Sequence, residues 1–346
     1  MTELSARGLA QLADKERESV AVSEQGSSVP TNLLGIFCVI GAGAAFTTND
    51  MAIKWLSGDY PLHQIILARS LIAILLTLAI LVPLEGGYRN LSTRRWRLHL
   101  LRGGVIVVAN MAFFLALASL PLGEVTAIFF VAPLIITVLS ALLLAEMVGP
   151  RRWAAVLIGL VGVLVMLRPG SAAFQWAALL PLVAAFCYAL TQILTRTLGN
   201  TEKASTMATY IQACFVVVSS AFGLIAGDGR FASPDAGPQM DFLLRAWVWP
   251  NVTDAAIMLG LGVLSATGGY LISQGYRLSE AGLVAPFEYT ALPLAVFWSV
   301  LLWGDWPDAT AWVGIALICG AGLYVFYRES ALGQKIALRR PMPRNQ

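Results

Sequence analysis

The sequence predicts an all-α integral membrane protein with ten transmembrane helices, arranged as two inverted five-helix repeats. Of its 346 residues, 58% are hydrophobic and only 12% are charged, whereas a soluble domain has roughly 25% charged residues. A soluble core cannot hide this much apolar surface, so lipid must be the solvent of many side chains. The formal net charge of +3 is small, and the basic residues cluster in loops, so nothing indicates a nucleic-acid partner.

Ten apolar runs are long enough to cross a bilayer as helices, because a spanning helix needs about 20 mostly apolar residues. The predicted helices cover residues 33–55, 62–84, 98–118, 124–145, 152–168, 174–197, 206–226, 255–276, 282–303 and 309–327. Most connections between them are short. The segment 227–253 is longer and rich in Gly, Pro and Asp, which predicts an exposed loop.

Lysine and arginine are divided unevenly between alternate loops, and this predicts the orientation of the chain. One set of loops contains "RNLSTRRWR" (89–97), "PRR" (150–152) and "RTLGNTEK" (196–203), whereas the other set has few basic residues. Basic loops face the cytoplasm, so we predict that both termini are cytoplasmic. Residues 1–31 are expected to form a disordered tail, since they are polar and lack the apolar core of a signal peptide. Residues 329–346 are expected to form a basic tail.

The two halves of the chain match each other weakly. "TNDMAIKWL" aligns with "LTQILTRTL", which places Gln192 on Asp50, and "EMVGPRRW" aligns with "DWPDATAW", which places Asp305 on Glu146. Five helices are an odd number, so the second half must enter the membrane upside down relative to the first. Inverted repeats are typical of secondary transporters, whose substrate site lies at the repeat interface near the middle of the membrane.

With these features in place, the chain resembles the drug/metabolite transporter superfamily in its EamA-like branch. The resemblance rests on the repeat layout and on "ALASLPLGEVTAIFFVAPLIITVLSALLLAE" (116–146) and "SEAGLVAPFEYTALPLAVFWSVLLWGDWPD" (279–308). It implies one EamA-like repeat in residues 32–169 and a second in 174–328. It also implies a carrier in the bacterial inner membrane that moves small organic molecules without a nucleotide-hydrolysing partner.

Two short motifs narrow the resemblance. "TND" in the first helix and "APFEYTAL" in the ninth look most like bacterial riboflavin and S-adenosylmethionine uptake carriers. Riboflavin uptake is the leading expectation, with S-adenosylmethionine uptake and export of amino acids or other metabolites as alternatives. Such relatives often have a basic residue at the position of Glu288, so the sequence departs from them there.

Polar residues in the first two predicted helices are the first candidates for substrate binding. Asn49 and Asp50 lie about 26 Å along the first helix, at a rise of about 1.5 Å per residue. They either line the cavity or, with Lys54 one turn on, form a neutral pair at a helix end. Arg69 lies about 10 Å deep in its helix, where a charge must pair or face water. It is therefore a site residue or the ion-pair partner of Asp50.

Four amide side chains are further candidates, namely Asn110, Gln192, Gln212 and Gln274. An amide donates and accepts at once, so each suits a polar substrate. The alternative is an interhelical hydrogen bond that only holds two helices together.

Glu288 is the sharpest candidate, because it follows Pro286 in "VAPFEYTALP". A proline removes a backbone hydrogen bond and can open a helix towards a cavity. Glu288 is expected to bind substrate or the coupling proton, or to pair with Arg277. Asp50 is the second candidate for the proton. Tyr289 is expected to stack on or hydrogen-bond an aromatic substrate.

Other chemistry finds no support in the sequence. The four cysteines lie in apolar runs without CxxC spacing, and the two histidines, His63 and His99, lie at predicted helix starts, so we expect no metal or other cofactor. The GxxxxGK[ST], HExxH and GxSxG motifs are missing from the sequence, which argues against a nucleotide-driven pump or an enzyme. A lipid-acting membrane enzyme is the distant alternative. The expected partners are a small-molecule substrate, membrane lipid and a coupling proton, with the protein a monomer or weak dimer.

The orientation can be tested with single cysteine reporters at Ser92, Pro150 and Ala236 in a cysteine-free background. The loop charges predict that a membrane-impermeant thiol reagent labels positions 92 and 150 only from the cytoplasm and position 236 only from outside. Labelling of position 236 from the cytoplasm would contradict the predicted topology.

Overall fold

The fold is described here from a computed structural model, which covers residues 31–144, 149–168, 175–233, 237–279 and 281–331. Nearly all of the two predicted tails, 1–30 and 332–346, lies outside these residues, as does Glu146. The described chain contains seven helices that are long and apolar enough to cross a membrane. Three shorter apolar helices, Trp153–Leu167, Phe287–Trp303 and Ala309–Ala321, supply the remaining segments. The predicted all-α multi-pass fold is confirmed.

We number the ten membrane segments α1 to α10. They are α1 (Thr31–Leu56), α2 (Leu62–Leu84), α3 (Trp96–Leu117), α4 (Leu122–Leu143), α5 (Pro150–Leu167), α6 (Trp176–Leu198), α7 (Ala204–Ala226), α8 (Val252–Leu278), α9 (pieces Ala281–Val284, Ala285–Thr290 and Ala291–Trp303) and α10 (Ala309–Ala331).

Proline marks the places where several of these segments change their helix type. In α2 a π-helical stretch, Thr77–Leu81, precedes Pro83, whose missing N–H cannot complete the α-helical ladder. The α-helix of α4 stops at Phe129 and resumes at Ala132, just before Pro133. Pro181 and Pro293 likewise lie in the first turn of an α-helical piece, where proline costs little.

The packing of the segments is symmetric between the two halves. Extensive contacts join α1 to α8, α5 to α10, α3 to α6, α2 to α8 and α2 to α7. Each segment of the first half has its counterpart five numbers later in the second half. If every segment is replaced by its counterpart, the α1–α8 pair becomes the α6–α3 pair. The α5–α10 and α2–α7 pairs convert into themselves. This pattern is that of two five-helix repeats related by a pseudo-two-fold axis, as the sequence predicted.

The α5–α10 pair packs through glycine. A side chain at Gly162 would meet the Gly314 carbonyl oxygen at 2.9 Å, and one at Gly314 would meet the Gly162 carbonyl oxygen at 3.0 Å. Close backbone approach of this kind is how small residues bring membrane helices together. Among the described residues, nothing lies within 4 Å of a side chain placed at Gly320 on the same helix. The helix turns Gly314, not Gly320, towards α5.

An ion pair joins the ends of these two helices. Arg168, the C-cap residue of α5 with a left-handed φ of 46°, donates a hydrogen bond to Asp308 just before α10. That hydrogen bond holds the pKa of the Asp308 carboxyl below its ordinary value. The pair fixes the two helix ends in addition to the glycine contact.

The 227–253 segment is not simply an exposed loop, as the sequence suggested. It contains a helix, Gly237–Leu244, whose Phe242 is buried. Gln64 of α2 donates to the Val248 carbonyl oxygen at 2.6 Å and accepts from its N–H at 3.1 Å. Apolar residues inside this polar stretch therefore fold it back onto the bundle.

Substituting Gly162 tests the helix contact. Gly162→Ala places a methyl group within 2.9 Å of backbone and side-chain atoms of α10, so we expect a loss of stability of about 1–3 kcal/mol. Thermal unfolding of the purified protein in detergent measures it. Gly320→Ala, which meets open space, is the matched control and should unfold within a degree or two of wild type. Equal effects of the two substitutions would contradict the contact.

Candidate functional site

Eight of the ten segments surround one central cavity. Its volume accessible to water-sized groups is about 150 Å³, and its lining comes from α1 to α4 and α6 to α9. Among the residues that the structure describes, none from α5 or α10 lines the cavity.

Arg69 lies at the centre of a polar network on one side of the cavity. Its guanidinium donates to Asn49 Oδ1 at 2.9 Å and to Asn110 Oδ1 at 2.8 Å. Asn49 in turn donates to the Ser265 hydroxyl of α8 at 3.2 Å. The Arg69 side chain is only 5% exposed. The three candidates Asn49, Arg69 and Asn110 thus form one cross-link between α1, α2 and α3.

Asp50 also lines the cavity, but it does not form the expected ion pair with Arg69. Within the described chain, no Asp50 oxygen lies within 4.0 Å of the guanidinium. The guanidinium donates to the two asparagine amide oxygens instead. Because these neutral oxygens accept its N–H groups, Arg69 can be buried without a carboxylate partner. Nor does Lys54 pair with Asp50, since its ammonium donates to the Leu120 carbonyl oxygen at 2.8 Å.

Arg102 is a second buried cation at the cavity, and the sequence analysis missed it. It is 1% exposed and lines the cavity. Its guanidinium donates to Thr195 Oγ1 at 2.7 Å, the Met207 carbonyl oxygen at 3.0 Å and Ser273 Oγ at 3.3 Å. Arg102 therefore joins α3 to α6, α7 and α8.

Glu288 lies in the 3₁₀ piece of α9, next to Pro286 as the sequence predicted. Its carboxyl group lines the cavity and is 5% exposed. The Tyr276 hydroxyl donates to Glu288 Oε1, and the Tyr188 hydroxyl lies within hydrogen-bonding range of the same carboxyl. The alternative partner Arg277 is turned away, because its Nε donates to Gln274 Oε1 at 3.0 Å.

The remaining candidates divide between the cavity and the surrounding bundle. Gln192 and Gln212 both line the cavity. Gln274 does not: its amide donates to Glu85 Oε1 at 3.1 Å, near the end of α2, which is the bundle-holding role that the sequence left open. Tyr289 is buried against Phe130, with ring centroids 5.7 Å apart, and is missing from the lining. It therefore points away from the expected aromatic substrate.

Aromatic side chains cover one wall of the cavity. Phe113 contacts Phe129 edge to face with centroids 5.2 Å apart, and Phe129 contacts Tyr188 in the same way, also at 5.2 Å. Phe114 extends this row on α3, with its centroid 5.6 Å from that of Phe113. We call Phe113, Phe114, Phe129 and Tyr188 the aromatic wall. It presents ring faces and edges of the kind on which a flat π-system packs well.

Another part of the cavity lining is polar. Gln212 of α7, together with Ser265 and Gly269 of α8, lines it. The cavity thus combines an aromatic wall, a polar wall and two cations. No group of three His, Cys, Asp or Glu side chains placed to hold a metal ion occurs among the residues that the structure describes.

Two double-mutant cycles test the Arg69 network. Hydrogen bonds to a charged group contribute about 1.5–3 kcal/mol each, so Arg69→Gln and Asn110→Ala should show strong coupling in unfolding free energy. The cycle of Arg69→Gln with Asp50→Asn should give the smaller coupling energy. Reversible unfolding in mixed micelles measures both cycles, and a larger coupling with Asp50 would contradict the network.

Known proteins with similar sequences share nearly the whole length of this chain. A riboflavin transporter from Vibrio cholerae is 31% identical over 290 residues, covering 83% of this chain and 90% of the relative. A riboflavin transporter from Rhizobium johnstonii is 28% identical and covers 94% of this chain and 100% of the relative. An S-adenosylmethionine uptake transporter from Rickettsia bellii is 23% identical, covering 89% of this chain and 99% of the relative.

A solved structure and a family model also match this chain. A solved crystal structure matches 89% of this chain and 100% of its own, with a TM-score of 0.64 and 19% sequence identity, which is a likeness of fold. The sequence model of the EamA-like transporter family matches residues 33–168 and 175–327. Together these two matches span almost all of the membrane segments, and the chain belongs to the EamA-like transporter family.

Proposed function

We propose that this protein is a secondary carrier that takes up riboflavin across the bacterial inner membrane. The two riboflavin transporters described above are similar to it over most of their length. The observation that favours this substrate is the pairing of an aromatic wall with a polar wall in one cavity. Riboflavin has the matching chemistry, since a flat tricyclic ring system is joined to a chain of hydroxyl groups.

The two walls assign the two parts of this substrate. The ring system packs against Phe113, Phe129 and Tyr188, because aromatic groups attract each other edge to face and in offset stacks. The hydroxyl chain reaches the amide and hydroxyl groups of the lining, such as Asn49 and Gln192, which donate and accept hydrogen bonds. Riboflavin is uncharged, so the two buried arginines act on it as hydrogen-bond donors and as packing surface.

S-adenosylmethionine uptake is the second candidate, and a specific observation favours it. The cavity lining has ionisable groups of both signs, Arg69 and Arg102 against Asp50 and Glu288. A substrate with a carboxylate, an ammonium and a sulfonium group can use both signs. Export of amino acids or other metabolites is the remaining alternative and involves the same cavity with the opposite direction of transport.

Glu288 is the candidate for proton coupling, with Asp50 as the second. The Glu288 carboxyl is buried in the bundle beside the cavity. The Tyr276 hydroxyl donates a hydrogen bond to it, and the Tyr188 hydroxyl lies nearby. A carboxyl group in this position binds a proton in one state of the carrier and releases it in another. Substrate binding at the same cavity links the two events.

The repeats suggest how the cavity opens to either side. We assign residues 32–169 and 174–328 to two inverted repeats, with both termini in the cytoplasm, surrounded by membrane lipid, as a monomer or weak dimer. Carriers built from inverted repeats expose their site alternately by rocking one repeat against the other. No chemical reaction and no cofactor form part of this proposal.

Transport by purified protein in lipid vesicles tests the function and its coupling. Labelled riboflavin should accumulate against its gradient when a proton gradient is imposed, whereas labelled S-adenosylmethionine and amino acids should not. Glu288→Gln should abolish uphill uptake but keep exchange of labelled for unlabelled riboflavin, because exchange needs no proton release. Preference for S-adenosylmethionine would favour the second candidate.

Asp228→Asn is the matched control for the carboxyl-to-amide change, since Asp228 lies in an exposed loop, and it should transport at the wild-type rate. A monodisperse elution peak should first show that each variant is folded. A folded Glu288→Gln variant that still concentrates riboflavin at the wild-type rate would remove Glu288 from the coupling mechanism.

A further inference from the structure

Gln212 is one of three lining residues with a buried polar atom that has no hydrogen-bond partner among the described residues, the others being Arg69 and Thr126. Gln212 is only 4% exposed and it lines the cavity. Within the part of the chain that the structure describes, its buried Oε1 atom has no hydrogen-bond partner. Leaving a buried polar atom unpaired is costly, so a ligand that donates a hydrogen bond to this oxygen would be favoured here.

Gln192 shows the contrast. It is a cavity glutamine of similar burial, yet the Tyr188 hydroxyl lies within hydrogen-bonding range of its amide, and Thr195 Oγ1 lies 3.4 Å from its Oε1. Within the described residues, the protein therefore supplies polar neighbours to the Gln192 amide but no hydrogen-bond partner to Gln212 Oε1.

Gly269 leaves space beside the open amide. Among the described residues outside its own helix turn, a methyl group placed at Gly269 would have the Gln212 Nε2 atom 3.8 Å away as its only neighbour within 4 Å. The neighbouring Gly268 differs, since a methyl group there would meet the Phe46 ring at 2.9 Å. Gly268 thus serves helix packing, whereas Gly269 borders a slot whose wall is the Gln212 amide.

The surroundings of this slot suit an electron-rich, planar group. Phe215 lies one turn beyond Gln212 on α7, and the Arg69 guanidinium lies over its ring at 5.2 Å. A primary amide offers an acceptor and a donor side by side, and rotation by 180° exchanges the two positions. The complementary partner is a planar group that presents a donor next to an acceptor, as a cyclic imide does.

We propose that Gln212 binds the imide edge of the flavin ring, in the slot bordered by Gly269. The ring N–H donates to Gln212 Oε1, and an adjacent ring carbonyl oxygen accepts from Gln212 Nε2. This assignment rests on the proposed riboflavin transport and adds an orientation to it. The imide edge points to α7 and α8, and the apolar benzene edge points to the aromatic wall.

Binding of riboflavin and of its N3-methyl derivative tests the proposal. The derivative lacks the imide donor and has a methyl group in its place. A site built to hydrogen-bond an N–H rejects an analogue without it, so wild type should bind the derivative at least about tenfold more weakly. Quenching of flavin fluorescence in titrations of the detergent-purified protein gives both dissociation constants.

Variants assign this discrimination to Gln212. Gln212→Met should weaken riboflavin binding by about tenfold or more and bring the ratio of the two constants close to one. Gln192→Met should change both constants together and keep the wild-type ratio. Gly269→Ala should weaken riboflavin binding by filling the slot, whereas Gly260→Ala on the same helix, which meets open space, should not.

The outcomes separate this proposal from the function on which it rests. Tight binding of both flavins by wild type, or a wild-type ratio in folded Gln212→Met, would overturn the imide assignment and leave riboflavin transport standing. Failure of wild type to bind riboflavin would remove both. If Gln212→Met does not fold, the wild-type ratio and the Gly269→Ala titration still decide.

Discussion

Placing charged groups inside an apolar helix bundle is the constraint on which the rest of this structure depends. Arg69 and Arg102 are each buried, and each guanidinium must find oxygen acceptors on other segments, because lipid and apolar side chains offer none. Arg69 finds them on α1 and α3, and Arg102 on α6, α7 and α8. The two side chains therefore cross-link the segments that surround the cavity. The acceptors are amides, hydroxyls and a carbonyl group, so each cation is hydrogen-bonded without being neutralised. Within the described residues, the carboxyl groups of Asp50 and Glu288 face the same cavity without an ion-pair contact. A substrate in the cavity can therefore contact ionisable groups of both signs, and the carboxyl groups can change their protonation.

The symmetric packing assigns different tasks to different helix pairs. The α5–α10 pair packs through Gly162 and Gly314, is tied at its ends by Arg168 and Asp308, and contributes nothing described to the cavity lining. Direct contact between its two backbones leaves little room for sliding within this pair. The cavity segments α2, α4 and α9 are instead interrupted next to proline, by π-helical, turn and 3₁₀ geometry respectively. Interrupted helices free backbone groups at membrane depth and bend more easily, which is tolerated where they border a cavity.

The sequence predicted the segments better than the directions in which their side chains point. Hydropathy placed all ten segments, and the depth of Arg69 and the proline next to Glu288 led to true cavity residues. Arg102 was missed because it follows a basic loop by a few residues, so that it reads as one more cytoplasmic charge. Tyr289 was assigned to the cavity because it neighbours Glu288, yet consecutive helical residues point in different directions. Helices that are apolar on every side give no polar stripe from which the inward face can be deduced. The partners of Arg69 and Gln274 are distant in sequence, and only tertiary packing selects among several possible acceptors.

Glu288 shows how these separate features act together. Its position on the 3₁₀ piece of α9 places the carboxyl beside Tyr276 of α8 and Tyr188 of α6, and Tyr188 also belongs to the aromatic wall. A substrate ring packed on that wall contacts a side chain that orients the carboxyl. Any movement of α9 relative to α6 or α8 changes the number of hydroxyls available to Glu288, and a buried carboxylate that loses a hydrogen bond is strongly disfavoured relative to the neutral acid. The proposed coupling of substrate binding to protonation of Glu288 would therefore run through Tyr188, which belongs to the aromatic wall and lies beside the carboxyl.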